Sequence, residues 1–153
     1  MPIAFESPDK PEVVALIAEL DAYQGALYPP ESVHALDLSS VRTERLLFAV
    51  ARDDTDQAIG CGAIVLHAQH GELKRMFVRP RHRGRGIAGK LLGMLEFAAQ
   101  QAGCPLLKLE TGPRQQAALA LYARHGYERC APYAPYSDDP LSVFMQKRIA
   151  PSA

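Results

Sequence analysis

Between an apolar, strand-like run and an amphipathic helical one the chain reads Val78-Arg79-Pro80-Arg81-His82-Arg83-Gly84-Arg85-Gly86-Ile87-Ala88-Gly89-Lys90, and no other stretch restricts the fold as much. Two glycines one residue apart let the backbone turn sharply and approach a ligand closely. A helix starting directly after them presents up to about four free amides and the positive end of its dipole. That combination suits a bound anion, a diphosphate above all. Arg81, Arg83, Arg85 and Lys90 surround it with positive charge. A strand, this turn, a helix and a further strand form a crossover, so the two flanking strands are predicted to lie parallel.

The rest of the chain fits around that unit. Ile3 to Glu6 reads as a first strand, and Val13, Leu16, Ile17 and Leu20 recur at helical steps until Tyr28-Pro29-Pro30 ends the pattern. Glu31 to Ala35 suggests a short second helix before a loop at Asp37 to Ser40. Leu46 to Ala51 and Ala58 to Ala68 read as strands joined by an acidic hairpin tip, and Gln69-His70-Gly71 turns into a third. Three consecutive strands with short turns form an antiparallel meander and exclude a repeated βαβ fold. In the third, alternation puts Glu72, Lys74, Met76 and Val78 on one face and Leu73, Arg75 and Phe77 on the other. Ile87, Leu91, Leu92, Leu95 and Ala99 form the buried stripe of a helix ending near Gly103, followed by a strand over Leu106 to Glu110. A helix over Gln115 to His125, a strand from Tyr127 to Ala131, a rigid Pro-rich loop over 132–140, a last strand over Leu141 to Ile149 and a fraying tail complete the pattern.

Composition narrows the function. At 153 residues the chain falls within the ~100–200 expected of one domain. With 48% apolar residues it can bury a core of ordinary globular kind. Its 17 basic and 17 acidic side chains lack the broad positive footprint of a duplex-binding domain. Neither a leader nor a membrane-spanning run is visible, so the cytoplasm is the expected compartment. Cys61, Cys104 and Cys130 form no Cys-x-x-Cys pair and the histidines show no ligand spacing, so no metal is expected. Gly84-x-Gly86-x-x-Gly89 matches the dinucleotide fingerprint in letters, yet it comes mid-chain after three strands, and Glu110 is poorly placed as its acidic partner.

The flanks decide among these readings. Arg81-x-x-Gly84-x-Gly86, with Val78-Arg79-Pro80 before it and Ile87-Ala88-Gly89-Lys90-Leu91-Leu92 after it, resembles the acetyl-CoA signature of the GNAT (Gcn5-related N-acetyltransferase) superfamily. Gln115-x-x-Ala118-x-x-Leu121-Tyr122-x-x-x-Gly126-Tyr127 resembles that family's second landmark, in which Asn usually stands first and Phe last. The resemblance covers roughly residues 45–148, with signature and landmark at 76–92 and 115–127 of one domain spanning 1–153. It implies an α/β (α+β) fold, a mixed, mostly antiparallel sheet of about seven strands flanked by helices.

The resemblance also implies a reaction and its residues. Acetyl-CoA is the implied cosubstrate, held by Met76, Phe77, Val78, Arg81, His82, Arg83, Gly84, Arg85, Gly86, Ile87, Ala88, Gln115, Ala118 and Tyr122. Transfer of the acetyl group to a primary amine, by direct attack, requires removal of an ammonium proton, whose pKa is ~10.4, and delivery of one to the leaving thiolate. Glu72 resembles the glutamate base of the histone-acetylating branch. Its other readings are a carboxylate paired with Lys74 or Arg75, with water deprotonating the amine. The backbone amide of Met76 would polarise the thioester carbonyl. Tyr122 resembles the tyrosine that protonates the departing sulfur, against an ordinary core aromatic. Tyr28, Glu31 and His34 from the helical entry, with Tyr133, Tyr136, Asp138 and Asp139 from the late loop, are the candidates for an aromatic and acidic acceptor rim. A small-molecule amine is the expected acceptor, with no nucleic acid and no membrane, and a homodimer is compatible with the resemblance. A protein or peptide amine is the alternative acceptor, and a CoA-binding sensor without turnover the alternative function.

Overall fold

The computed structural model describes residues 2–32 and 37–149. His34, most of the short helix read at Glu31 to Ala35 and the tail from Ala150 lie outside them. Seven strands form one sheet: β1 (Ile3–Phe5), β2 (Leu46–Arg52), β3 (Ala58–Leu66), β4 (Gly71–Val78), β5 (Leu106–Thr111), β6 (Glu128–Arg129) and β7 (Val143–Arg148). Their spatial order is β1-β2-β3-β4-β5-β7-β6. Every neighbouring pair is antiparallel except β4 and β5, which are parallel as the crossover requires.

Helices cover both faces. Helix α1 (Pro11–Leu27), with Pro11 at its first position, buries Val13, Leu16 and Leu20 against Phe48, Val50, Cys61 and Phe77. On the opposite face α2 (Ile87–Gln101) buries the predicted stripe Ile87, Leu91, Leu92, Leu95 and Ala99 against Ile59, Ile64, Leu107 and Leu109. Each fully buried leucine contributes about 1.5–3 kcal/mol, so these stripes fix which face each helix covers. Helix α3 (Gln116–Arg124) joins the α2 side through Ala118, Leu121 and Tyr122.

Strand β4 departs from the predicted alternation. Its register with β3 shifts between the pairs Ala63–Lys74 and Cys61–Phe77, leaving both Arg75 and Met76 opposite Gly62, and Arg75 sits at φ 60°. This bulge puts two consecutive residues on one face. Leu73, Met76 and Val78 consequently pack with the α2 cluster, while Phe77 packs with the α1 cluster and Arg75 pairs with Asp21 of α1. Glu72 and Met76 therefore lie on opposite faces, contrary to strict alternation. The same distortion limits the parallel ladder, which links only Gly71–Leu73 to Leu107–Leu109. Past it, β4 and β5 share no ladder among the described residues, and the sheet opens at its centre.

Smaller differences have local causes. Pro30–Ser32, Leu38–Ser40 and Thr43–Arg45 form single 3₁₀ turns, a geometry without the hydrophobic period that pattern reading detects. The strand read at Tyr127 to Ala131 contracts to Glu128–Arg129 because only these residues ladder with β7.

Candidate active site

Where β4 and β5 part, a cleft of ≈ 360 Å³ opens on the glycine turn. Gly84 and Gly86 adopt φ 81° and 77°, and no atom lies within 4 Å of where a Cβ would stand on either. Left-handed backbone at both positions requires glycine and leaves an open cradle beside the chain. Gly86 is the N-cap of α2, whose first turn contains no acidic residue and receives no side-chain cap. Its leading amides are thus free for an anion. His82 also lines the cleft, and its Nδ1 is buried without a hydrogen bond among the described residues. An unfilled cradle, uncapped amides and an orphaned ring nitrogen all fit a bound diphosphate.

Of the residues expected to hold the cofactor, Met76, Phe77, Val78, His82, Arg83, Gly84, Gly86, Ile87, Ala88, Gln115, Ala118 and Tyr122 line this one cleft. Arg81 and Arg85 are exposed and do not line it. Arg83 is held in place: its Nε donates to the Val78 carbonyl at 2.9 Å and its guanidinium lies 5.4 and 5.7 Å from the Tyr23 and Phe77 ring centroids. These contacts tether it beside β4 and α1. Leu20 and Tyr23 of α1, and Arg124 and His125 at the end of α3, are further lining residues that the motifs did not point to. Tyr23 is 36% exposed, and nothing in the sequence sets it apart from the other residues on the open face of α1.

Gln115 caps α3 from just outside it, and the Thr111 hydroxyl donates to its Oε1 at 3.4 Å. Tyr122 is buried, its ring edge-to-face with Tyr127 at 5.6 Å. Burial pushes its phenol well above the ordinary value, so it remains protonated at neutral pH.

On the α1 side of the same opening stands a second constellation. Glu72 is 6% exposed. Its Oε2 accepts hydrogen bonds from the Tyr133 and Tyr136 hydroxyls at 2.9 and 2.6 Å, and Lys74 Nζ donates to the Tyr136 hydroxyl at 2.6 Å while lying 3.9 Å from Glu72. The carboxylate expected to act as a base is therefore already engaged by two phenols and an ammonium group. Burial lowers the Lys74 pKa, against the opposing pull of Glu72 and Glu110. Asp139 accepts from Ser32 Oγ at 2.8 Å and from the Leu141 amide at 2.8 Å. Glu31 and Asp138 are exposed. Tyr28 belongs to the framework: it is 7% exposed, its hydroxyl accepts the Arg114 amide at 3.0 Å, and Arg114 also donates to the Leu27 carbonyl. It clamps the end of α1 to the segment between β5 and α3.

Glu110 is the residue that sequence reading missed. It is half-buried on β5, on the face opposite Leu107 and Leu109. Burial raises its pKa to about 7, helped by the negative charge of Glu72 and Asp139 and opposed by Lys74. The signal was present in Leu106-Leu107-Lys108-Leu109-Glu110-Thr111: strict alternation on a central strand obliges its charged face to be partly desolvated.

A glycine turn at a helix start thus opens on a parted parallel strand pair, with the buried Tyr122 lining the cleft, an arrangement that suits an acyl-CoA-dependent transferase. The acetyltransferase (GNAT) family model matches residues 13–127, and the chain belongs to that family. It is similar to an IAA acetyltransferase of Azospirillum brasilense, 47% identical over 149 residues that cover 96% of this chain and 97% of the relative. It is also similar to the crystal structure of an acyl-CoA N-acyltransferase from Klebsiella pneumoniae, with 44% identity, a TM-score of 0.87 and 96% of each chain covered. An aminoglycoside 6'-N-acetyltransferase solved with coenzyme A shares the fold at 17% identity and a TM-score of 0.73, covering 100% of this chain and 99% of its own. The enzyme transfers acetyl from acetyl-CoA to an amine. No described helix is long and apolar enough to cross a membrane.

Proposed function

We propose that the acceptor is a small-molecule primary amine, and that Glu110 takes its proton while Tyr122 returns one to the departing sulfur. The observation carrying this reading is that Glu110, with a carboxyl titrating near 7, stands one residue past the end of the β4–β5 ladder, while the buried phenol of Tyr122 lines the cleft. Acetyl-CoA supplies an acyl group on a thioester whose cleavage leaves a thiolate. Gly84, Gly86 and the first amides of α2 hold the diphosphate, and His82 and Gln115 add side-chain contacts along the cleft. The bulge at Arg75 and Met76 lies beyond the β5 ladder, and a backbone amide there would polarise the thioester carbonyl.

At neutral pH Glu110 is divided between its acid and its base form, as efficient proton transfer requires. Glu72 acts as a positioning residue: two phenolic hydrogen bonds fasten the 132–140 loop over the acceptor side. Release of free thiol from acetyl-CoA across a panel of small amines, with a lysine peptide for comparison, tests the assignment. Thiol release that depends on small amines supports it. Release only with the peptide would move the acceptor to the protein class, and none with any amine, in a protein that binds CoA, would leave a sensor.

A further inference from the structure

Every aromatic ring expected at the acceptor rim is already covered by one of the protein's own cations. Lys74 Nζ lies 5.3 Å from the Tyr136 centroid, Lys108 Nζ 5.2 Å from that of Tyr133, and the Arg114 guanidinium 5.6 Å from that of Tyr28. The two loop tyrosines also pack on one another and on a third ring. They meet edge-to-face at 5.1 Å, and both contact Phe144, at 5.6 and 5.8 Å. The attraction that a ring face offers an incoming cation is therefore spent inside the protein.

The charges on this face nearly balance. Glu72 and Asp139 bring two carboxylates and Glu110 a third that is partly protonated at neutral pH, while Lys74 and Lys108 bring two ammonium groups. At most one further positive charge is matched by the set, and that charge is the ammonium of the acceptor as it arrives. A second would find no further buried counter-charge among the described residues and would face Lys74, whose side chain is 13% exposed and so poorly screened by water. Glu31 and Asp138 are exposed, where solvent screens them.

We propose that the acceptor carries a single positive charge, that of the reacting amine, and that Lys74 and Lys108 filter out di- and polycationic amines. This rests on the reading of the Glu72–Glu110 face as the acceptor side.

The test is a matched pair, n-pentylamine against 1,5-diaminopentane, which share chain length and reacting group and differ in one charge. Thiol release gives kcat/KM for each, and calorimetry with the CoA-loaded protein gives the binding order independently of turnover. The monoamine is expected to exceed the diamine at least tenfold, roughly the cost of one unscreened like-charge contact in a partly desolvated site. Lys108→Gln uncovers Tyr133 and should raise the diamine relative to the monoamine several-fold, with Lys74→Met as a second variant should the first fold poorly. A diamine equal to or better than the monoamine in both assays would overturn the proposal. Absence of thiol release with either amine would count against acetyl transfer to small amines, and the calorimetric order would still decide the charge filter.

Discussion

The two sides of the opening in the sheet are built in opposite ways. The donor side is made of contiguous backbone: within Arg83 to Ile87 two left-handed glycines and a helix start create the cradle without any distant partner. The acceptor side is made of side chains from separate segments, with Ser32, Glu72 and Lys74, Lys108 and Glu110, and the loop from Tyr133 to Asp139 meeting only through the fold. Backbone sites tolerate surface change and fail when the turn is blocked. Side-chain networks fail gradually, member by member, because each hydrogen bond contributes only about 0.5–3 kcal/mol.

That contrast breaks most sharply at the turn. Gly86→Val places a branched side chain where φ is 77° and into space that no protein atom fills, so CoA affinity should fall at least about 100-fold while the fold survives a local cost of roughly 1–2 kcal/mol. Calorimetry with CoA, alongside circular dichroism, measures both quantities. Near wild-type affinity would show that the cradle does not hold the diphosphate.

Next in size is Tyr122→Phe, which keeps the ring packed on Tyr127 and removes the proton. Turnover should drop roughly 10–1000-fold, equivalent to ~1.4–4 kcal/mol, with little change in acetyl-CoA affinity. An unchanged rate, under conditions where chemistry is limiting, would return Tyr122 to the core.

The acceptor side should respond more mildly. Glu72→Gln retains a hydrogen-bond acceptor for at least one of Tyr133 and Tyr136, so KM for the amine should rise about 3–10-fold with kcat changed less. A collapse of kcat with KM unchanged would make Glu72 a direct participant.

The smallest effect is on stability. The folded Glu110 binds its proton more tightly than an unfolded glutamate, at about 7 against 4.5. Its contribution is therefore fully present below about pH 4.5 and is lost as pH rises through 7. Glu110→Gln should stabilise the protein by about 1–2 kcal/mol near pH 8 and leave it nearly unchanged near pH 4, readable as a pH-dependent difference in Tm. An equal shift at both pH values would contradict the raised pKa.

The same division governs how much could be read from sequence. The turn, the α2 stripe and the parallel crossover were legible because glycine spacing and helical period are local properties. The bulge was not, since Arg75 at φ 60° is a non-glycine residue that gives no sign of a left-handed conformation. Its consequence, Glu72 and Met76 on opposite faces, followed unseen. Glu72 and Tyr122 were proposed from their positions, yet only the packing reveals that the first is held by two tyrosines and the second is buried. Glu110 was weighed only as a ribose ligand of a dinucleotide site, although it stood on the charged face of a central strand.

The central claim is that Glu110, and not Glu72, takes the proton from the amine, and the pH dependence of kcat/KM for the amine tests it most directly. The wild-type enzyme should show an ascending limb with an apparent pKa near the value of about 7 set by the surroundings of Glu110. In Glu110→Gln that limb should vanish and the rate fall by roughly 10²–10⁴, while Glu72→Gln should keep the limb. A limb that survives in Glu110→Gln and disappears in Glu72→Gln would contradict the account and restore Glu72 as the base.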